Sequence, residues 1–210
     1  ELAHGQPDRI AYLQSDIHQL PCWVALEKGF FEKEGEKVEV AGIFKAGPEL
    51  MCAFTAGALD MGYVGVAPAT TAVANKTARV VILAQVNTEG SAIVVKKDGK
   101  VQSIPELVGK SVVIPGHATV QDSLLRRALL KSKNEPDQVK IMVLKPPEMI
   151  GALRTDQIDA FIAWEPYPAK AITMGVGRIL AFSRDIWKDH PCCVLAADVK
   201  FLETQLEKAK

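Results

Sequence analysis

Ala56-Gly57-Ala58-Leu59-Asp60-Met61-Gly62-Tyr63-Val64-Gly65 has a counterpart 99 residues downstream, counted from Asp60 to Asp159: Arg154-Thr155-Asp156-Gln157-Ile158-Asp159-Ala160-Phe161-Ile162-Ala163-Trp164-Glu165-Pro166. A helix-like run precedes each copy, Glu49-Leu50-Met51-Cys52-Ala53-Phe54 in one case and Glu148-Met149-Ile150-Gly151-Ala152-Leu153 in the other. Each phrase then gives a turn, an apolar residue, an Asp, a short apolar strand and a loop. Two such α/β halves imply a two-lobed protein with a cleft between the lobes. In open α/β sheets ligands sit beyond the carboxyl ends of the strands, so the residues just after each phrase are the first candidates for ligand contact.

Working outward, strands and helices alternate almost throughout. Ile10 to Leu13 reads as a first strand, and Leu20 to Lys28 as a helix stopped by Gly29. Val38-Glu39-Val40 begins a period-two alternation, as a half-buried strand should. In the second half, Ser111 to Ile114 reads as a strand and Val120 to Lys131 as a helix with Thr119 as its N-cap. Cys193 to Ala197 reads as a last strand, and Asp198 caps a final helix. This alternation predicts an α/β fold with mixed, mostly parallel sheets. The two best crossings between lobes are Asn87-Thr88-Glu89-Gly90 and the stretch from Asp185 to Pro191. They divide the chain into a discontinuous first lobe, residues 1–88 plus 190–210, and a second lobe, residues 89–189.

The totals exclude several classes. Lys plus Arg and Asp plus Glu are both 25, which argues against a nucleic-acid binder. Hydrophobic content of 48% supports a real core. No apolar run approaches the roughly 18 residues of a membrane span. Glu1 to Gln6 is polar and shows no signal peptide, which leaves both a cytoplasmic protein and a mature exported form open.

The chain resembles the type II periplasmic solute-binding proteins of ABC importers, in the nitrate/sulfonate/taurine branch that also includes thiamine-precursor binders. The resemblance rests on Ala25-Leu26-Glu27-Lys28-Gly29-Phe30-Phe31-Glu32-Lys33-Glu34-Gly35 and Val38-Glu39-Val40. It continues through Gly57 to Gly62, Ile104-Pro105-Glu106-Leu107-Val108-Gly109-Lys110, and Asp159-Ala160-Phe161 with Glu165-Pro166. It covers roughly residues 10 to 202 in order. Two departures stand out. Position 36 is Glu where the family has an apolar residue, and family members run well beyond this length, with further C-terminal helices on the first lobe. A truncated chain and an unusually short member are both open.

The resemblance implies a non-catalytic monomer without cofactor, periplasmic or extracellular and membrane-associated, that closes on a small organic solute and delivers it to an ABC permease. It also implies which loops face the ligand. In the first half they supply Asp16, His18, Gln19, Gly47, Gly65, Val66, Asn87 and Glu89. In the second they supply Gly116, His117, Thr119, Trp164 and Glu165. Gly116 to Thr119 meets a helix N-terminus, where free N–H groups favour an acceptor; a satisfied cap is the plain alternative. Trp164 can stack on a flat or cationic ligand or serve as a core residue. Gly65 and Gly116 fit close backbone approach or simple turns. His18 and His117 are expected to face each other across the cleft. These loops carry Asp16, Glu89 and Glu165 and no Lys or Arg, which points to a neutral or amine-bearing ligand over nitrate or a sulfonate.

The four cysteines, Cys22, Cys52, Cys192 and Cys193, form no C-x-x-C pair. Cys22 and Cys52 read as small buried thiols in helices, with a disulfide between them left open. His18 and Cys22 stand at i, i+4 spacing and with His117 and Cys192 make a conceivable soft-metal set, although unrelated core and cleft positions are the expected reading. His190-Pro191-Cys192-Cys193 falls near the place of the cysteine-rich motif of the yeast-type thiamine pyrimidine synthase, an enzyme of the same fold, but the motif is incomplete. A ligand-sensing domain is the other rival. No G-x-S-x-G or H-E-x-x-H is present.

Overall fold

The structure, a computed structural model, describes residues 6–209. Strands β1 (Asp8–Leu13), β2 (Val38–Phe44), β3 (Met61–Gly65) and β4 (Val80–Gln85) build one sheet. Strands β5 (Ser91–Lys96), β6 (Ser111–Ile114), β7 (Lys140–Val143), β8 (Ala160–Trp164) and β9 (Gly177–Phe182) build a second, and β10 (Cys193–Asp198) returns to the first. The orders are β2-β1-β3-β10-β4 and β7-β6-β8-β5-β9. The helices between them are α1 (Leu20–Glu27), α2 (Phe30–Lys33), α3 (Gly47–Thr55), α4 (Val66–Ala74), α5 (Val120–Lys131), α6 (Pro146–Arg154), α7 (Tyr167–Thr173), α8 (Ser183–Ile186) and α9 (Val199–Gln205). The expected two-lobed α/β fold is the fold found.

The repeated phrase has one job in both halves. Asp60 stands just before β3, and its Oδ2 accepts the Arg9 N–H of β1 at 2.7 Å while its own N–H donates to Arg9 O at 2.9 Å. Asp159 stands just before β8 and makes the same pair with Ser111 of β6, at 2.8 and 3.0 Å. The strands so joined are parallel and register over only two residue pairs each, Ile10↔Met61 and Ala11↔Gly62, then Val112↔Ala160 and Val113↔Phe161. A one-residue slip would turn every side chain to the wrong face. The carboxylate fixes that register by capturing an N–H that the short ladder would leave unpaired.

The sheets are less parallel than the alternation implies. Each holds two parallel and two antiparallel pairings. The cause is the double crossing. β4 runs into the crossing and β10 runs out of it, so they must lie antiparallel, and β5 and β9 are related in the same way. Both strands that leave the crossing slot between two others and are buried nearly throughout. That placement explains the unbroken apolar run Ala92-Ile93-Val94-Val95.

The two crossings pair as one ribbon. Val86 N donates to Cys193 O at 2.8 Å, Cys192 N to Asn87 O at 3.2 Å and Glu89 N to His190 O at 3.1 Å. Thr88 and Pro191 form an antiparallel bridge. Side chains reinforce it: Asn87 Oδ1 accepts from Cys193 N at 2.9 Å, and Glu89 Oε1 from Asp189 N at 2.8 Å. Cys22 is buried in the first lobe, whereas Cys52 is exposed rather than buried, and both are free thiols.

Asp60→Ala removes the acceptor of the Arg9 N–H, Nε and Nη2, leaving the guanidinium only Gly57 O, and is expected to cost about 1–3 kcal/mol in urea unfolding. Burial opposes ionisation of Asp60, but the Arg9 guanidinium and N–H outweigh it and hold the carboxyl below its usual pKa. Its contribution is therefore complete above the unfolded value of about 4 and is lost as pH falls through the lower folded value. The variant should lose that part of the acid limb of the stability profile; an unchanged limb would contradict the assignment.

Candidate functional site

The lobes meet at the carboxyl ends of their central strands. The first lobe contributes Leu13, Asp16, His18, Gly47, Gly65 and Pro68 to the cleft wall, the second Thr119, Val120, Gln121 and Trp164, and the crossing Cys192 and Cys193. The space at its centre is about 10 Å³, room for one water. The lobes are thus closed on each other. A Cβ on Gly65 would lie 3.4 Å from Val120 Cγ2, and one on Gly47 only 2.6 Å from Pro68 Cγ. Glu49 and Lys145 form an ion pair across the mouth, and Ile17 N donates to Glu165 O at 3.3 Å.

Polar chemistry concentrates where β1 ends and β10 begins. Asp16 caps a short 3₁₀ turn, Ile17–Gln19, accepting the His18 N–H at 3.0 Å. That turn drives the His18 ring inward. Its Nε2 lies 3.1 Å from Gly90 O, and since a carbonyl only accepts, Nε2 carries a hydrogen. Gly90 must be glycine: its φ is +80°, and a Cβ would come 2.2 Å from His18 Nε2. The opposite ring nitrogen, Nδ1, lies 3.4 Å from Cys192 Sγ and 3.4 Å from Asp16 Oδ1. Gln19 Nε2 donates to Asp16 Oδ2 at 3.0 Å, and Cys193 Sγ lies 3.8 Å from the same oxygen.

These contacts shift the groups strongly. The hydrogen bond from Cys193, with the His18 ring behind it, outweighs burial and brings the Cys192 thiol down to about 5. Burial alone would lower His18, but Cys192 and Asp16 outweigh it and raise the ring to about 9. Burial lifts Asp16 to about 6, and the Cys192 contact with burial pushes Cys193 well above an ordinary thiol. At neutral pH the pair is a Cys192 thiolate beside a His18 imidazolium, of the kind known to activate cysteines.

The remaining predicted residues divide. Asp16, His18, Gly47, Gly65, Thr119 and Trp164 line the cleft, and Gln19 is wholly buried just behind Asp16. Trp164 Nε1 is buried without a hydrogen-bond partner. His117 lies elsewhere: its side chain is 68% exposed, beside Asp122 and against Pro48 and Met51 of an outer groove. The two histidines do not face each other. Ala118, at φ +58°, turns the loop so that His117 points out, and Asp122 Oδ2 accepts Ala118 N while Thr119 Oγ1 accepts Asp122 N. That end of α5 is a satisfied cap. Gly116 packs on Pro48 across the lobes. Val66 donates its N–H to Cys192 O and joins the core. Asn87 and Glu89 serve the ribbon, and Glu165 Oε2 accepts Ala169 N at the start of α7. Of the three carboxylates expected in the cleft only Asp16 lines it, and no Lys or Arg does. The reading of the sequence as unrelated positions missed Cys192 and Cys193; their signal was adjacency at the second crossing. Cys22 takes no part in the cluster.

Two α/β lobes on one ribbon, closed over a cleft at their strand ends, make the fold of the periplasmic binding proteins. The chain belongs to the NMT1-like family, whose model matches residues 9–210. A Brucella abortus protein whose name says only that it binds is 32% identical over 166 residues, which cover 79% of this chain and 50% of that protein. The nitrate import ATP-binding protein of Synechocystis sp. is 30% identical over 202 residues, covering 83% of this chain and 29% of its own length. The alkanesulfonate-binding protein SsuA of Xanthomonas axonopodis pv. citri, bound to MOPS, shares the fold with a TM-score of 0.86 at 21% identity, over 98% of this chain and 70% of that one. The chain spans about half the length of the Brucella relative.

In the reduced protein one cysteine should be a thiolate at neutral pH, with ultraviolet absorbance that titrates near pH 5. Cys192→Ala should abolish it and His18→Ala should move the midpoint upward. A first thiolate appearing only in the ordinary range, about 8.5, would contradict the pair.

Proposed function

We propose that the chain is the solute-binding part of an ABC-type importer, acting outside the cytoplasmic membrane as a monomer and handing its solute to a membrane permease. The observation that carries this reading is the closed cleft, walled by both lobes and hung on a single ribbon. Such a ribbon lets one lobe swing as a body about a few residues. Solute favours the closed form by touching both walls at once. The family and the importer relatives support the same reading. Among the described residues no helix is long and apolar enough to cross a membrane. The reading of the chain as a binder rather than a catalyst rests on its family and its importer relatives.

The cleft wall favours a small neutral or cationic solute over nitrate or a simple sulfonate. It presents Asp16 and the Cys192 sulfur against the single His18 ring, which both of them contact, and no Lys or Arg. The unpaired Trp164 Nε1 calls for one acceptor atom on the solute.

Calorimetric titration with nitrate, taurine and alkanesulfonates should show no tight binding, and submicromolar affinity for any of them would overturn the preference. Small molecules retained by the purified protein, identified by native mass spectrometry, should raise its stability by about 2.7 kcal/mol at a hundredfold excess over Kd. Trp164→Phe should weaken their binding by about 0.5–1.5 kcal/mol through the lost hydrogen bond. Turnover of any retained compound would overturn the non-catalytic reading.

A further inference from the structure

The cluster at the crossing does more than a solute contact needs. Nδ1 of His18, Sγ of Cys192 and Sγ of Cys193 all lie within 4.8 Å of one another, and all three residues are buried. The Asp16 carboxylate lies beside them. Its Oδ1 is 3.4 Å from Nδ1 and its Oδ2 is 3.8 Å from Cys193 Sγ. From these distances we propose that Cys192, Cys193, His18 and Asp16 form a tetrahedral site for a zinc-class divalent cation, set in the wall of the cleft.

The dimensions support this. A tetrahedral ion with metal–sulfur bonds of about 2.3 Å and metal–nitrogen or metal–oxygen bonds of about 2.0–2.1 Å requires S···N and S···O edges of about 3.6 Å and N···O edges of about 3.3 Å. The observed distances are 3.4 Å from Cys192 Sγ to Nδ1, 3.4 Å from Nδ1 to Asp16 Oδ1 and 3.8 Å from the other carboxylate oxygen, Oδ2, to Cys193 Sγ. His18, Cys192 and Cys193 are already grouped for one ion, and Asp16 completes the set once its carboxylate turns to bring a single oxygen onto it.

The surroundings are those a metal site needs. A ligating histidine is oriented by a hydrogen bond from its other ring nitrogen, and Gly90 O takes the His18 Nε2 hydrogen in that way. The ligating carboxylate is held in turn by Gln19 Nε2. Two thiolates and an imidazole select zinc-like or softer ions over magnesium or calcium, which prefer oxygen. All four groups belong to the first lobe or to the crossing beside it, so the ion loads from the cleft when the lobes part. The inference goes beyond the importer reading and does not depend on it.

The test uses the whole chain in a Cys52→Ser background, which removes the exposed thiol, reduced and stripped of metal. Cobalt(II) is the probe and zinc its competitor. One equivalent of cobalt should bind, with the sulfur-to-metal charge-transfer and intense visible bands of a tetrahedral thiolate site, and zinc should bleach them. Cys192→Ser and Cys193→Ser should each lower the charge-transfer intensity by about half or more, the double variant should abolish it, and Asp16→Asn should change the visible bands. Gln19→Ala should weaken cobalt by about 10–100-fold, as loss of an outer-shell partner does. Circular dichroism and thermal unfolding identify which variants fold, and Asp16→Asn, nearly isosteric, serves if the cysteine variants do not. No cobalt uptake by the reduced parent chain would overturn the proposal, as would octahedral spectra or charge-transfer bands of full intensity in both cysteine variants. Retention of an organic solute by a chain that takes up no metal would overturn it and leave the importer reading standing.

Discussion

The ribbon made by residues 86–90 and 187–193 is the constraint on which the rest of the molecule depends. The chain must pass between the lobes twice, and both passages lie side by side, joined by backbone hydrogen bonds and by Asn87 and Glu89. That pairing forces β10 and β5 to enter their sheets antiparallel to their neighbours. It also delivers Cys192 and Cys193 to the end of β1, where Asp16 and His18 emerge. Sheet order, hinge axis and the polar corner of the cleft follow from one local arrangement.

Burying four titratable groups in that corner is expensive unless each finds a partner. Asp16 meets the His18 N–H and ring, Gln19 and Cys193; His18 meets Gly90 O and Cys192. Opposite charges on His18 and Cys192 offset part of the desolvation. Replacing the set with apolar side chains would stabilise the fold at least as well by general experience with buried ion pairs. Its presence at the carboxyl ends of strands, facing a cleft, is the mark of a site kept for binding.

Much of this was legible in the sequence, and the exceptions have physical causes. The repeated phrase placed β3 and β8 because an Asp before a short apolar strand is a local signal; the N-caps Thr119 and Asp198 are equally local. His18 and Trp164 were found because strand ends point at the cleft. His117 also follows a strand end, but a single left-handed residue, Ala118, turns its loop outward, and no pattern announces that. Glu89 and Glu165 looked like cleft charges, yet both are taken up by nearby backbone N–H groups. Cys192 and Cys193 reach the cleft through pairing between β10 and β3, across well over a hundred residues of sequence, which periodicity cannot reveal.

The polar contacts that join the two lobes are individually weak. The Glu49–Lys145 pair is partly exposed at the mouth, where such pairs contribute about 0–1 kcal/mol. The Ile17–Glu165 hydrogen bond is long at 3.3 Å, and both groups can turn to water when the lobes part. The apolar contacts across the cleft are broader: Gly65 meets Val120, Gly116 meets Pro48, and Val66 and Ala67 of α4 pack on the cluster that holds Val120 of α5. By contrast, the register pins at Asp60 and Asp159 lie wholly within a lobe. Strong polar bonds lie within each lobe and weak ones between them, an arrangement that suits the proposed closure on a solute.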